Sequence, residues 1–218
     1  VTDYTDELRA ARVRLLTAEA EAKECEVAFG KLKIEEATRA LELEKAQGAE
    51  NRILTFATEV ATDTVTNAIR TLDVWSRATP GCDLQINLTT LGGDIYSCFR
   101  FVDYIEELKK RNHKVIVKVM GNALSAGSAI LQAATERVMT PNSWLLIHEA
   151  QIGELSGNFT QVSEASKQIK RHQEQLIKLL ASRSTLSAKQ IRSKWTNADW
   201  YLDAEEALSY GLIDRIEA

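Results

Sequence analysis

The sequence predicts an α/β fold: a mostly parallel sheet covered by helices, preceded by a long N-terminal helix. Three observations carry this. Residues 1 to about 48 hold no proline and are rich in Ala, Glu, Lys, Leu and Arg, with Gly30 the one interior glycine, a composition that favours helix. From Arg52 onward, short β-branched runs alternate with amphipathic stretches, the signature of strands crossing over through helices. Turn signals such as Thr79-Pro80-Gly81 and Gly92-Gly93 separate them. The chain therefore reads as two parts: a charged helix over 1–50 and an α/β domain over 51–218.

In the first part, steps of four and three connect Tyr4, Leu8, Ala11, Leu15, Ala18, Ala22, Cys25, Phe29 and Leu32. This is a heptad-like seam flanked by charge, and beyond it the phase falls on Glu36 and Arg39. So thin a seam is marginal for an isolated helix. Two readings stay open: a helix that oligomerises or binds a partner, or a solvated helix lying along its own domain. The segment Gln47-Gly48-Ala49-Glu50-Asn51 reads as the joint.

In the second part, Ile53 to Phe56 is the first strand, and Asp63 to Ala78 a helix with Val65, Ile69, Leu72 and Trp75 on one face. Asp83 to Thr89 alternates as a strand and enters the glycine pair. Asp94 then caps a helix with the stripe Ile95, Cys98, Phe99, Val102 and Ile105. His113 to Met120 is the next strand, followed by a turn at Gly121 and an Ala-rich helix. Arg137 to Thr140 and Ser143 to His148 are short strands around Pro141-Asn142. A long helix over Phe159 to Ser182 carries Val162, Ala165, Ile169, Leu176 and Leu180. A helix over Ser187 to Trp195, an extended piece over Trp200 to Leu202, a helix from Ala204 and a strand over Leu212 to Ile216 complete the order. Right-handed crossovers are expected throughout.

Composition excludes several function classes. A formal net charge of −4 over 218 residues does not furnish the clustered Lys and Arg of a nucleic-acid groove. No apolar run is long enough to span a bilayer, and Val1 to Asp6 has no signal-peptide character. The three cysteines, Cys25, Cys82 and Cys98, match no zinc or redox spacing, so a reducing, cytoplasmic compartment is expected. No metal and no cofactor are expected.

Three places look chemical. Ser125 stands at a strand-to-helix turn among Ala123, Ala126 and Gly127. There helix N–H dipoles favour developing negative charge, and small neighbours admit a substrate backbone. Alone, a serine here is more often an ordinary helix cap; Ser128, one turn on, invites the same reading. His148 ends the apolar run Trp144 to Ile147, a setting that can hold one tautomer, although a strand-end histidine is also commonly structural. Of the other two histidines, His113 and His172 stand beside charged residues and read as solvated. The pair Gly92-Gly93 lets backbone N–H groups face a cleft, as an oxyanion hole requires, or is a plain turn. It lacks the remainder of any dinucleotide or phosphate-loop pattern.

In this order and spacing, the pieces resemble the Clp protease proteolytic subunit. The glycine pair after Ile86-Asn87 resembles "INSPGG", and Gly121 to Gly127 resembles the nucleophile turn "GxAxSxG". Pro141 to His148 is similar to "PNSxxxIH", while Asp199 to Ala207 with Tyr210 to Asp214 resembles "DxFLSAxEA…YGLxD". The resemblance covers residues 52–218. It implies a ClpP/crotonase-like fold with a protruding handle helix over Phe159 to Ser182. It also implies Ser125 as nucleophile, His148 as general base and Asp199 as the acid orienting it, with Asp203 close by. The amides of Gly93 and Ala126 would form the oxyanion hole. Polypeptide substrates, a homo-oligomer of stacked rings and substrate pairing along Gln151 to Asn158 are implied too.

Departures from the family shape the expectations. A long charged helix stands where the family has a short loop that engages an ATP-driven unfoldase, so the usual docking is not expected. The loop Leu88 to Leu91 is longer and lacks the family's proline, and Glu149-Ala150 replaces Gln-Pro after His148. These traits resemble the Clp-related head maturation proteases of tailed phages, which act on capsid or scaffold proteins. A non-catalytic assembly protein, with the N-terminal helix as its working part, is the alternative. An acyl-CoA enzyme of the related crotonase fold is disfavoured by the Ser125 and His148 motifs. A Ser-Lys signal-peptide peptidase is disfavoured because no lysine stands in a comparable motif.

Overall fold

The computed structural model describes residues 2–151, 157–196 and 198–217, with backbone alone for 2–11, 18, 37 and 40–50. It divides into two compact units, residues 1–48 and 49–218. The first is helical: α1 (Thr2–Asn51) runs unbroken through the expected joint. Gly48 does not interrupt it, because one glycine costs only about 1 kcal/mol among strong helix formers. The chain turns instead at Arg52, whose φ is 53°. Along α1 the large apolar side chains Val13, Leu15, Leu16, Val27, Phe29 and Leu32 are all exposed.

The second unit runs β1 (Ile53–Ala57), α2 (Thr62–Ala78), β2 (Leu84–Thr90), α3 (Ile95–Lys110), β3 (Val115–Leu124), α4 (Ala126–Ala133) and β4 (Glu136–Met139). It continues with β5 (Trp144–Ile147), α5 (Phe159–Ser182), α6 (Ala188–Trp195), β6 (Trp200–Leu202), α7 (Ala204–Ser209) and β7 (Arg215–Ile216). The order β1-β2-β3-β4-β7 is parallel throughout. Alternation decides the faces: Leu84, Ile86 and Leu88 of β2 and Val115, Val117 and Val119 of β3 are fully buried. Helices cover both strands' neighbours, and one core gathers Phe101, Leu72, Ile105 and Ile130 around them.

Four details differ from expectation. The strand expected to end at Met120 continues to Leu124. It passes Gly121 with a bulge, in which Leu88 pairs with Val119 but Thr90 with Ala123. Below the bulge β3 pairs with β4, and above it with β5. The turn into the helix is therefore at Ser125, not Gly121. Second, β7 is limited to Arg215–Ile216 because Leu212 follows Gly211 at φ 68° as buried coil. Third, His113 is buried, its Nδ1 2.9 Å from the Cys82 carbonyl oxygen. It occupies the same alternating register as Val115 and Val117. Fourth, His172 is half-buried, with the rings of Tyr96 and Phe99 at 4.9 and 5.7 Å. It lies seven residues after Ala165, on the same helix face. The expected substrate-pairing segment, 151–158, lies mostly outside the described residues.

Candidate active site

The site stands at the carboxyl edge of the parallel strands, where α/β sheets generally bind ligands. Pairing of Leu124 with Leu146 brings the end of β3 beside β5, and the Ser125 N–H donates to the Leu146 carbonyl at 2.9 Å. His148 leaves the same edge immediately after β5. On the other side of β5, antiparallel β6 pairs Trp200 with Ile147. Asp199 directly precedes β6, as His148 directly follows β5. Asp203 lies at the opposite end of β6, where its carboxylate accepts the Glu206 N–H at 2.8 Å and caps α7. The register thus separates two aspartates that lie close in sequence.

Ser125 occupies the cap position of α4, yet its side chain makes no capping bond. Its backbone, at φ 55° and ψ −116°, is in a sparsely populated region. Such a conformation costs about 1–3 kcal/mol and matches the sharp strand-to-helix elbow that exposes a nucleophile. Several groups hold the elbow. The Ser128 hydroxyl donates to the Ser125 carbonyl at 2.7 Å, and the Cys98 thiol donates to the Ala126 carbonyl at 3.4 Å. Burial pushes that thiol, with Asp94 nearby, up to about 12. It is a neutral packing group and not a rival nucleophile.

The glycine pair lies against the elbow. Val60 N–H donates to the Gly92 carbonyl at 2.8 Å and Asp94 N–H to the Val60 carbonyl at 2.7 Å. That parallel bridge engages the residues flanking Gly93 and leaves its own N–H facing away from Val60. Among the described residues, neither Gly93 N–H nor Ala126 N–H, the first of α4, finds a hydrogen-bond acceptor. Only glycine fits here. At Gly92 (φ 107°) a Cβ would lie 2.7 Å from the Ser125 Cβ, and at Gly93 (φ 145°) 2.2 Å from the Val60 carbonyl oxygen. Asp94 closes the turn by accepting the Ser97 N–H at 2.7 Å. Burial pushes its carboxyl up, but hydrogen bonds from Ser97 and the Tyr96 N–H outweigh this and hold it below the usual range.

Gly93, Ser125, Ala126 and His148 line one cavity of about 630 Å³. Its apolar wall comes from Ile95 and Phe99 of α3 and Ile169 and Leu176 of α5, with Tyr96 and Gln173 at its margin. A second cavity, of about 460 Å³, joins His148 to Asp199, together with Glu149 and Trp195. Ser125 and His148 are half-buried and Asp199 exposed. Among the described residues no hydrogen bond links the three. Sequence reasoning assigned Ile95, Phe99, Ala165, Ile169 and Leu176 to packing stripes; the signal missed is that these stripes are wider than the core needs. Trp195 was read only as a helix end.

A ligand edge with a strained serine at a strand-to-helix elbow, amides beside it that are unpaired among the described residues and a histidine just past the next strand is an arrangement suited to a hydrolase of the serine type. The Clp protease family model matches residues 39–218. An ATP-dependent Clp protease proteolytic subunit 2 of Corynebacterium jeikeium is 28% identical over 77% of this chain and 79% of its own. A protein of that same description from Streptomyces coelicolor is 29% identical over 77% and 76%, respectively. An ATP-dependent Clp protease proteolytic subunit of Porphyromonas gingivalis is 29% identical over 76% of this chain and 73% of its own. The chain belongs to the Clp protease family, and it is a serine endopeptidase of that type. No helix among the described residues is long and apolar enough to cross a membrane.

Proposed function

We propose that the chain hydrolyses peptide bonds through Ser125, His148 and Asp199. The observation that carries this reading is the double register: Leu124 against Leu146, and Ile147 against Trp200. It brings together the ends of β3, β5 and β6, next to which Ser125, His148 and Asp199 stand in sequence, and so supports their acting together. Ser125 Oγ attacks the scissile carbonyl carbon as His148 takes its proton. The resulting oxyanion accepts the N–H groups of Gly93 and Ala126. The imidazolium, stabilised by the Asp199 carboxylate, then gives the proton to the leaving amine, and water releases the acyl group by the same steps. Catalytic contacts commonly tighten only with substrate bound, which accommodates the open spacing of the three groups. The apolar wall of the larger cavity receives the side chain preceding the cut.

The enzyme works as a homo-oligomer, with residues 51–218 as the protease domain and the helix over 1–50 serving self-association or partner binding. Its exposed apolar side chains support that role. The same helix, standing where the family's docking loop would be, favours action without the usual unfoldase. A cytoplasmic setting and capsid or scaffold substrates follow from the resemblance to phage head maturation proteases. The deciding experiment compares wild type with Ser125→Ala by fluorophosphonate labelling and by mass spectrometry of peptide and self-cleavage. Labelling and cleavage lost in Ser125→Ala are expected. Equal activity in both sinks the assignment of Ser125, and no labelling of the wild-type oligomer favours a non-catalytic assembly role.

A further inference from the structure

Trp195 ends α6 with its side chain only 1% exposed, inside the hydrophobic core cluster. Its indole Nε1 is buried, yet among the described residues it has no hydrogen-bond partner. Buried donors are almost always paired, so an orphan calls for an explanation. The cavity that Trp195 lines supplies one, because it also holds His148, Glu149 and Asp199. The Trp195 carbonyl accepts the Ala198 N–H at 3.2 Å, and Asp199, which lines the same cavity, lies four residues on in sequence. The neighbouring Asp203 is already engaged at the α7 cap. The Asp199 carboxylate accepts no hydrogen bond from any described residue.

Resting on the proposed role of Asp199, we propose that Trp195 is a positioning residue. Its Nε1–H donates to one oxygen of the Asp199 carboxylate in the substrate-engaged enzyme and leaves the other oxygen for the His148 ring. The indole is rigid and core-packed, so it fixes a carboxylate that otherwise stands exposed on a loop. A hydrogen bond to an ionised acceptor is also the stronger kind. Glu149, which follows His148, is the other carboxylate lining this cavity and the rival acceptor for the indole.

Peptide hydrolysis by full-length Trp195→Phe, Asp199→Asn, Glu149→Gln and the double variants joining Trp195→Phe to each of the other two tests this. Trp195→Phe is expected to lower kcat about tenfold with KM unchanged, and to add no further loss once Asp199 is replaced. The same loss in both backgrounds overturns the inference and leaves the triad standing. So does a Trp195→Phe loss that disappears in the Glu149→Gln background. A fully active Asp199→Asn instead sinks the reading on which the inference rests. If Trp195→Phe does not fold, the indole proton signals of wild type and Asp199→Asn decide, recorded with and without a peptide boronate. A boronate-induced downfield shift of one buried indole, absent in Asp199→Asn, is expected; no shift in wild type overturns the inference.

Discussion

At the scale of single residues, the site depends on what cannot be added as much as on what is present. Gly92→Ala sets a methyl group 2.7 Å from the Ser125 Cβ in a backbone at φ 107°. The expected outcome is a folded protein whose fluorophosphonate labelling slows at least a hundredfold, which a labelling time course reads. Gly121→Ala is the control. Its φ of 91° is also strained, but the nearest atom to the new methyl group is a Thr89 methyl at 3.8 Å. It is expected to lower stability by about 1–3 kcal/mol and to leave labelling intact. The cysteines offer a second check. Burial holds the Cys98 thiol neutral, near 12, directly beneath the elbow, while Cys25 is exposed. Brief iodoacetamide treatment should therefore modify Cys25 and spare peptide cleavage. Loss of cleavage in step with alkylation would contradict a serine mechanism.

At the scale of elements, one arginine ties the end of the chain to the sheet. Arg137 of β4 has a side chain 7% exposed and meets the Asp214 carboxylate at 2.5 Å. It also donates to the Gln132 side chain at 2.8 Å and to the carbonyls of Arg183 and Gly211 at 2.6 and 2.9 Å. One guanidinium thus joins α4, the end of α5 and the loop before β7. Arg137→Met leaves that carboxylate and those carbonyls without their donor. It should cost about 3–5 kcal/mol in urea unfolding. Burial pushes the Asp214 carboxyl up, but the bonds and charge of Arg137 outweigh this and hold it below 3.8. A depressed folded-state value means that the pair stabilises fully above the unfolded carboxyl range. That stabilisation is lost as pH falls through the folded value. Stability of wild type should therefore drop below about pH 4, and Asp214→Asn should flatten that drop. An unchanged slope would show that other carboxylates govern acid unfolding.

At the scale of the whole molecule, the core cluster includes no described residue of α1. Removing residues 1–48 should shift the melting temperature by no more than about 2–4 °C and leave Ser125 labelling in place. Sedimentation should show a smaller assembly if the helix self-associates, because seams of this kind are stabilised only by partner helices. An unchanged assembly mass would remove the helix from oligomerisation and leave partner binding.

The amino-acid sequence by itself determined the alternation of elements, the continuous leading helix and the residues around Ser125, His148 and the glycine pair. Local turn chemistry, hydrophobic period and short ordered motifs encode these within a few residues of one another. Only the tertiary structure decided what depends on pairing between distant strands. The continuation of β3 past Gly121 rests on new partners in β5, not on local propensity. The separation of Asp203, engaged at the α7 cap, from Asp199 at the other end of β6 rests on the antiparallel pairing of β6 with β5 and not on nearness in sequence. Whether an apolar residue packs or lines a cavity was equally hidden. Phe99 and Ile169 share the periodicity of core residues, and only the facing helix shows that space was left between them. His113 and His172 looked solvated by their neighbours in sequence, yet neighbours in space bury the first and half-bury the second.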